Sequence, residues 1–388
     1  FTNLSVCCQL LTSPLKKTMT LNQEVVADEL IYRIALNLIP QIGNKTAFEL
    51  LNHFGSAKAI FEEINYADLC QVPKIGKAMA QQILDKNTLQ KAEEEWAFTQ
   101  KYNIKVLSQE SADYPKRLRN CPDAPFLLYY KGNTNLNAAK VVAIVGTRKP
   151  SSQGKLFCER LVQDLAVYNP LIVSGLAYGI DVTAHKKCLD LQIPNIGVVA
   201  HGLDRIYPTL HKRIAQRMTN CGGILTEFRK GIEPFPKHFP MRNRIIAGMA
   251  DAVVVVETAN RGGSMITAYV ANEYNKDVFA VPGRLDDPLS KGCNHLIKTH
   301  RASLLESAED LAYILRWEKK SGGQQKQLFA NLTKDERLIV DLMLGKEVHL
   351  ETIIRETKIS TSRMAALLLE LELRGVIRAL PGKNFRLL

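Results

Sequence analysis

Four short segments combine small residues with cations or hydroxyls in a way suited to holding phosphate. They are Gly146-Thr147-Arg148-Lys149, the Ser174-Gly175 start of SGLAYGID (174–181), Gly262-Gly263-Ser264 with Thr267, and Lys291 with Asn294 after VPG (281–283). Glycine lets backbone N–H groups approach an anion, a following helix adds its positive end, and arginine adds a planar donor fork. A fifth stretch, Lys237-His238-Phe239-Pro240-Met241-Arg242-Asn243-Arg244, sets cations around an aromatic ring. Arginine for the backbone and phenylalanine for base stacking is the chemistry of single-strand binding. Each feature has a plainer explanation: glycines that only make turns, a Phe239 that plugs the core, and Arg242 and Arg244 in internal salt bridges.

Familiar nucleotide chemistry is missing. The chain has no GxxxxGK[ST], and its first strand-to-helix turn is not GxGxxG, which disfavours a P-loop and a dinucleotide site. GxSxG and HExxH are also absent. Asp181 and Glu257 are the carboxylates nearest these loops, and with no paired group they read as loop anchors or ribose contacts rather than general bases.

The elements that must position these loops are strands. VVAIV (141–145), LIVS (171–174), IGVVA (196–200), GILT (223–226), AVVVVE (252–257) and VFAV (278–281) alternate with helix-like stretches. That alternation predicts a Rossmann-like, doubly wound parallel sheet buried on both faces, with ligands beyond the strand ends.

The 388 residues carry a net charge of +12, and residues 140–300 alone hold +8 of it. A polyanion surface therefore belongs to the sheet domain at 101–317, within which 101–140 reads as an extended lead-in. No apolar run approaches a membrane span, and the eight cysteines contain no CxxC, so a reducing cytoplasm is expected, with no metal site. Residues 19–100 read as helices with a repeated P-x-I-G, at 40–43 and 73–76, like the turns of a helix-hairpin-helix or SAM-like module. Residues 1–18 are expected to be disordered or a non-native extension, and 318–332 a linker. Residues 333–388 read as three helices, the third capped by Ser360, and a hairpin: a winged helix.

Taken together, GTR (146–148), SGLAYGID (174–181), GLDRIYP (202–208), FPMRNRIIAG (239–248), GGSMIT (262–267) and VFAVPG (278–283) resemble the DprA family, also called Smf, over most of 110–315. The resemblance implies a non-catalytic cytoplasmic homodimer without a cofactor. It implies binding and protection of single-stranded DNA and help in loading the RecA recombinase in natural transformation. In that reading Arg148, the SGLAYGID amides, Arg242, Asn243, Arg244 and Gly262 to Ser264 hold phosphates, while Lys237 and Phe239 flank the strand. The chain departs from the family in Thr147 for serine, in Asn275-Lys276 for Gly-Arg, and in Thr299-His300-Arg301-Ala302 for a Gly-Ala loop.

Two other readings compete. Related folds include phosphoribohydrolases with PGGxGTxxE, but RGGSMITAYVANE (261–273) places its nearest acid, Glu273, one helical turn too late. A transcription regulator acting through the winged helix is weakened by a third helix that sets Arg363 and Arg374 against Glu370 and Glu372.

Overall fold

The structure, a computed structural model, describes residues 14–318, 332–343, 347–374 and 376–387, with side chains from residue 26 onward. It divides into two compact units, the first ending at Glu318 and the second following it.

The first unit opens with helices α1 (Pro14–Leu38), α2 (Asn44–Phe54), α3 (Ala57–Glu62), α4 (Tyr66–Gln71), α5 (Lys77–Ile83) and α6 (Lys86–Lys101). Residues 14–18, expected to be unstructured, belong to α1, and residues 1–13 lie outside the described residues. The P-x-I-G repeat is a structural repeat. Gln41 and Lys74 take φ of 73° and 72°, and Gly43 and Gly76 start α2 and α5. Ile42, Ile75, Ala47 and Ala80 are buried. These helices do not close a core by themselves: Leu50, Ile60, Leu69 and Ile83 share one apolar cluster with Phe126, Leu127 and Tyr129 of the next segment.

That segment, expected to be an extended lead-in, holds β1 (Lys105–Ser108), α7 (Lys116–Arg119) and β2 (Leu127–Gly132). The prolines at 115, 122 and 125 punctuate the chain between the two strands. Both strands add antiparallel to one edge of the main sheet, β1 on β2 and β2 on β6. The sheet continues through β3 (Val141–Val145), α8 (Ser152–Leu165), β4 (Leu171–Ser174), α9 (Ile180–Asp190), β5 (Asn195–Val198), α10 (Lys212–Met218), β6 (Gly222–Thr226) and α11 (His238–Met249). It ends with β7 (Ala252–Val255), α12 (Gly263–Glu273), β8 (Asp277–Ala280), α13 (Lys291–Lys298), β9 (Ser303–Leu304) and α14 (Ala308–Ile314).

The order β1-β2-β6-β5-β4-β3-β7-β8-β9 is parallel from β6 to β9. It reverses at β3, where the chain steps to β4 on one side and later reaches β7 on the other. An open parallel sheet leaves a crevice at such a point. Alternation along β3 supplies both layers. Val141, Ala143 and Val145 face the cluster containing Ile245 and Met265, whereas Val142 and Ile144 face Cys158, Leu161 and Ile180. Burying each such side chain is worth roughly 1.5–3 kcal/mol, which explains the unbroken apolar runs.

The second unit is α15 (Lys334–Leu342), β10 (Val348–His349), α16 (Leu350–Thr357), α17 (Thr361–Leu373), β11 (Ile377–Leu380) and β12 (Asn384–Leu387). Thr333 and Glu336 form a reciprocal capping box on α15. Ser360 precedes α17, but its side chain makes no capping hydrogen bond. Strand β10, which the sequence reading lacks, pairs with β12 beside the expected hairpin. Ile339, Ile353, Met364, Leu368 and Ile377 give this unit its own core. The expected linker lies almost wholly outside the described residues, at 319–331.

Candidate nucleic-acid interface

At the carboxyl end of β3 lies a cleft of about 500 Å³. Three elements build it. The first is the turn after β3, held where the Thr147 N–H donates to the Glu257 carbonyl at 2.7 Å and the Ile180 N–H to the Thr147 carbonyl at 3.2 Å. The second is the first turns of α11, and the third is the start of α12, tied to α11 by a 3.4 Å bond from Asn243 Nδ2 to the Gly263 carbonyl. Of the expected residues, Gly146, Thr147, Arg148, Lys149, Phe239, Arg242, Asn243, Gly262, Gly263, Ser264 and Thr267 all line this cleft.

Their states differ. Arg148 and Lys149 are exposed, and among the described residues neither pairs with a carboxylate. The Arg148 guanidinium carbon lies 5.3 Å from the Phe239 ring centroid, a cation–π contact that leaves its charge uncompensated. Arg242 is only 5% exposed, and one of its terminal nitrogens donates to the Val198 carbonyl. Its Nε and the Ser264 hydroxyl are buried with no protein partner. Both residues border the cleft, so donors that find no acceptor within the protein stand beside an electropositive opening.

The acidic groups are spoken for. Glu257 accepts from the Ser151 N–H at 2.9 Å and from its hydroxyl, which fastens the start of α8 to the end of β7, so Glu257 is a loop anchor. Asp181 is buried and accepts from the Ala177 N–H at 3.3 Å. Burial raises its pKa, and the nearby Arg242 charge opposes that rise. Glu273 is exposed near the far end of α12 and does not line the cleft.

Other expected residues lie elsewhere. Ser174 is buried and donates to the Ile144 carbonyl at 2.5 Å, and Gly175 lies beneath the cleft, where a Cβ would run into Arg242 and Asp181. Gly175 is therefore small to admit that pair. Arg244 turns away from the cleft, bonding Glu227 and the Asp123 carbonyl. Asn294 latches the Gly283 backbone, accepting from its N–H at 3.1 Å and donating to its carbonyl at 2.9 Å. Lys237 and Lys291 are exposed and do not line the cleft. Sequence reasoning missed Thr258, Ala259 and Ile246 as cleft walls, because an apolar or small wall carries no chemical signature.

Among the described residues no group of histidine, cysteine or acid is placed to hold a metal, and no helix is long and apolar enough to cross a membrane.

A mixed, largely parallel sheet preceded in the chain by a helix-hairpin-helix repeat and followed by a winged helix, with a cationic cleft at its switch point, has the architecture of a DNA-processing protein. Comparison with known families agrees. Residues 105–316 match DNA recombination-mediator protein A, 324–383 the DprA winged helix domain and 34–86 the SAM-like helix-hairpin-helix tandem. The chain belongs to the DprA/Smf family. DNA processing protein DprA of Streptococcus pneumoniae is 45% identical over 51% of this chain and 70% of its own length. Protein Smf of Escherichia coli is 35% identical over 74% of this chain and 78% of its own. The X-ray structure of the S. pneumoniae protein aligns with a TM-score of 0.63 at 35% identity, covering 74% of this chain and 98% of that one. DNA processing protein A of Helicobacter pylori, described for its single-stranded DNA binding mode, aligns at 0.51 and 30% identity, covering 56% and 98%.

Proposed function

We propose that this protein binds single-stranded DNA in the cleft at the end of β3 and acts without catalysis as a recombination mediator, shielding the strand and helping to load a RecA-type recombinase. The observation that carries the reading is the pair Arg148 and Phe239: an uncompensated guanidinium over an aromatic face, at the mouth of a cleft whose buried donors lack acceptors. The cation suits a phosphate and the ring a base, and neither selects a sequence. The kinship with DNA recombination-mediator protein A and with the H. pylori protein supports both the ligand and the role. Residues assigned to the strand are Gly146 to Lys149, Phe239, Arg242, Asn243, Gly262 to Ser264 and Thr267. Lys237 and Lys291 extend the positive field, and homodimerisation belongs to the same proposal.

The test is fluorescence anisotropy of labelled oligo-dT against a matched duplex over a salt series. Single strand should win, and Arg148→Ala should weaken binding with a shallower salt slope, since one phosphate contact accounts for a slope of about 0.7 on a single strand. Equal affinity for duplex, or a variant with an unchanged slope, would remove the strand from this cleft. Loading is tested separately, by recombinase filament growth on strands precoated with a single-strand binding protein.

A further inference from the structure

The loop that enters α11 is held from outside the sheet domain. Glu95 sits on the buried face of α6 with Ala92 and Thr99, a place where an apolar side chain would normally pack. Its carboxylate accepts from the Lys230 backbone N–H at 2.9 Å. The Lys230 ammonium in turn donates to the Glu94 carbonyl at 3.0 Å and lies 5.7 Å from the Phe98 ring centroid. Residues 94 to 98 of the helical segment thus grip one residue of the core. Beyond Lys230 the chain bends at Gly231, with φ of +81°, and runs through the exposed Phe235 and Lys237 to Phe239. Its ties within the sheet domain include the Gly231 N–H to Asp204 at 3.0 Å, the Gly202 N–H to the Ile232 carbonyl at 3.0 Å, His238 Nδ1 at 3.0 Å from the Glu233 carbonyl with its ring 4.6 Å from that of Phe228, and a surface pair between Arg205 and Glu233. Surface pairs of that kind contribute little rigidity.

A buried acid is costly and weakens the helical domain's own packing, so its placement calls for a partner. The partner is the amide just upstream of the loop that feeds the cleft. Burial raises the Glu95 carboxyl, while the Lys230 amide and the Lys230 and Arg229 charges hold it back.

We propose that Glu95 is a positioning residue for the strand-binding cleft: by holding the Lys230 amide it fixes the loop that delivers Phe235, Lys237 and Phe239, so the helical domain sets the core's affinity for single-stranded DNA without touching it. This rests on the reading of the cleft given above.

The experiment uses the full chain, labelled oligo-dT and a salt series. Glu95→Ala should weaken binding by about 5- to 10-fold, the equivalent of one lost hydrogen bond, with the wild-type salt slope, because no phosphate contact is removed. Glu95→Gln keeps an oxygen for the Lys230 N–H and should stay within about twofold of wild type. Amide exchange in Glu95→Ala should quicken at residues 230–237 and remain unchanged in β3 and β7. Should Glu95→Ala fail to fold, Glu95→Leu keeps the side-chain volume on the buried face of α6, removes the acceptor for the Lys230 N–H, and should weaken binding by about 5- to 10-fold with the slope unchanged. A folded Glu95→Ala, or Glu95→Leu, with wild-type affinity overturns the role, as does Glu95→Gln as weak as the alanine variant. Wild type that ignores oligo-dT, or Arg148→Ala that binds like wild type, overturns the reading of the cleft itself.

Discussion

Arg244 and Glu227 form an ion pair behind α11, with side chains only 12% and 11% exposed. Two residues earlier on the same helix, Arg242 borders the cleft, so neighbouring arginines in one motif do different work. Burial pushes the Glu227 carboxyl up to about 7, against the pull of Arg244. Removing one partner of such a pair strands the other, at a cost of about 3–5 kcal/mol. Arg244→Ala should therefore lower stability by roughly that amount in urea unfolding, while its folded fraction keeps the wild-type salt slope for single-stranded DNA. A shallower slope would return Arg244 to the interface.

Gly263 and Ser264 open α12 at the cleft. A Cβ at Gly263 meets nothing within 4 Å, whereas one at Gly146 would collide with Ile180. Gly263→Ala should accordingly fold with undiminished melting temperature yet bind the strand several-fold more weakly, because the methyl occupies space the backbone leaves to the ligand. Ser264→Ala removes a buried hydroxyl without a protein partner. It should be neutral or slightly stabilising by melting and should weaken DNA binding by about tenfold or less. Wild-type binding by both variants would argue against phosphate at this helix start.

His185 is fully buried between the Gly175 carbonyl, 2.7 Å from Nε2, and the Asn195 carboxamide, 3.0 Å from Nδ1. Burial lowers its pKa to about 4. Below about pH 6.5 the unfolded chain takes up a proton that the folded ring refuses, so stability falls as pH drops from about 6.5 toward 4. The loss should approach 3 kcal/mol, from ~1.4 kcal/mol per pH unit. Urea unfolding at several pH values should show that slope in wild type and a flatter one in His185→Gln. Parallel slopes would place the acid sensitivity elsewhere.

Deleting residues 331–388 should leave most single-strand affinity intact. The unit has its own core, and α17 with the residue that caps it offers little free positive charge: Arg363 pairs with Asp335 at 2.6 Å and Arg374 with Glu336 at 2.7 Å. Anisotropy of the truncated chain is the measurement, and a collapse of binding would move the interface to the winged helix.

The central strands were legible because two buried faces demand continuous apolar runs, and glycine-bearing loops after such runs marked the sheet edge that holds the cleft. Strands β1 and β2 were not, since prolines crowd the segment between them and β6, the partner that joins β2 to the main sheet, lies about a hundred residues further on. Arg242 and Arg244 have the same type in the same motif, and only the positions of Val198 at the end of β5 and Glu227 just past β6 separate them. Two departures from the family pattern became intelligible. Asn275 and His300 adopt φ of 54°, the left-handed conformation that glycine serves elsewhere and that asparagine and histidine tolerate better than most residues.

Strand β9 spans only Ser303 and Leu304, and at the opposite margin β1 lies against α6. A two-residue rung offers almost no ladder for a neighbouring molecule's strand. At its β9 margin the main sheet thus offers almost no template on which a neighbouring molecule's strand could extend it end to end.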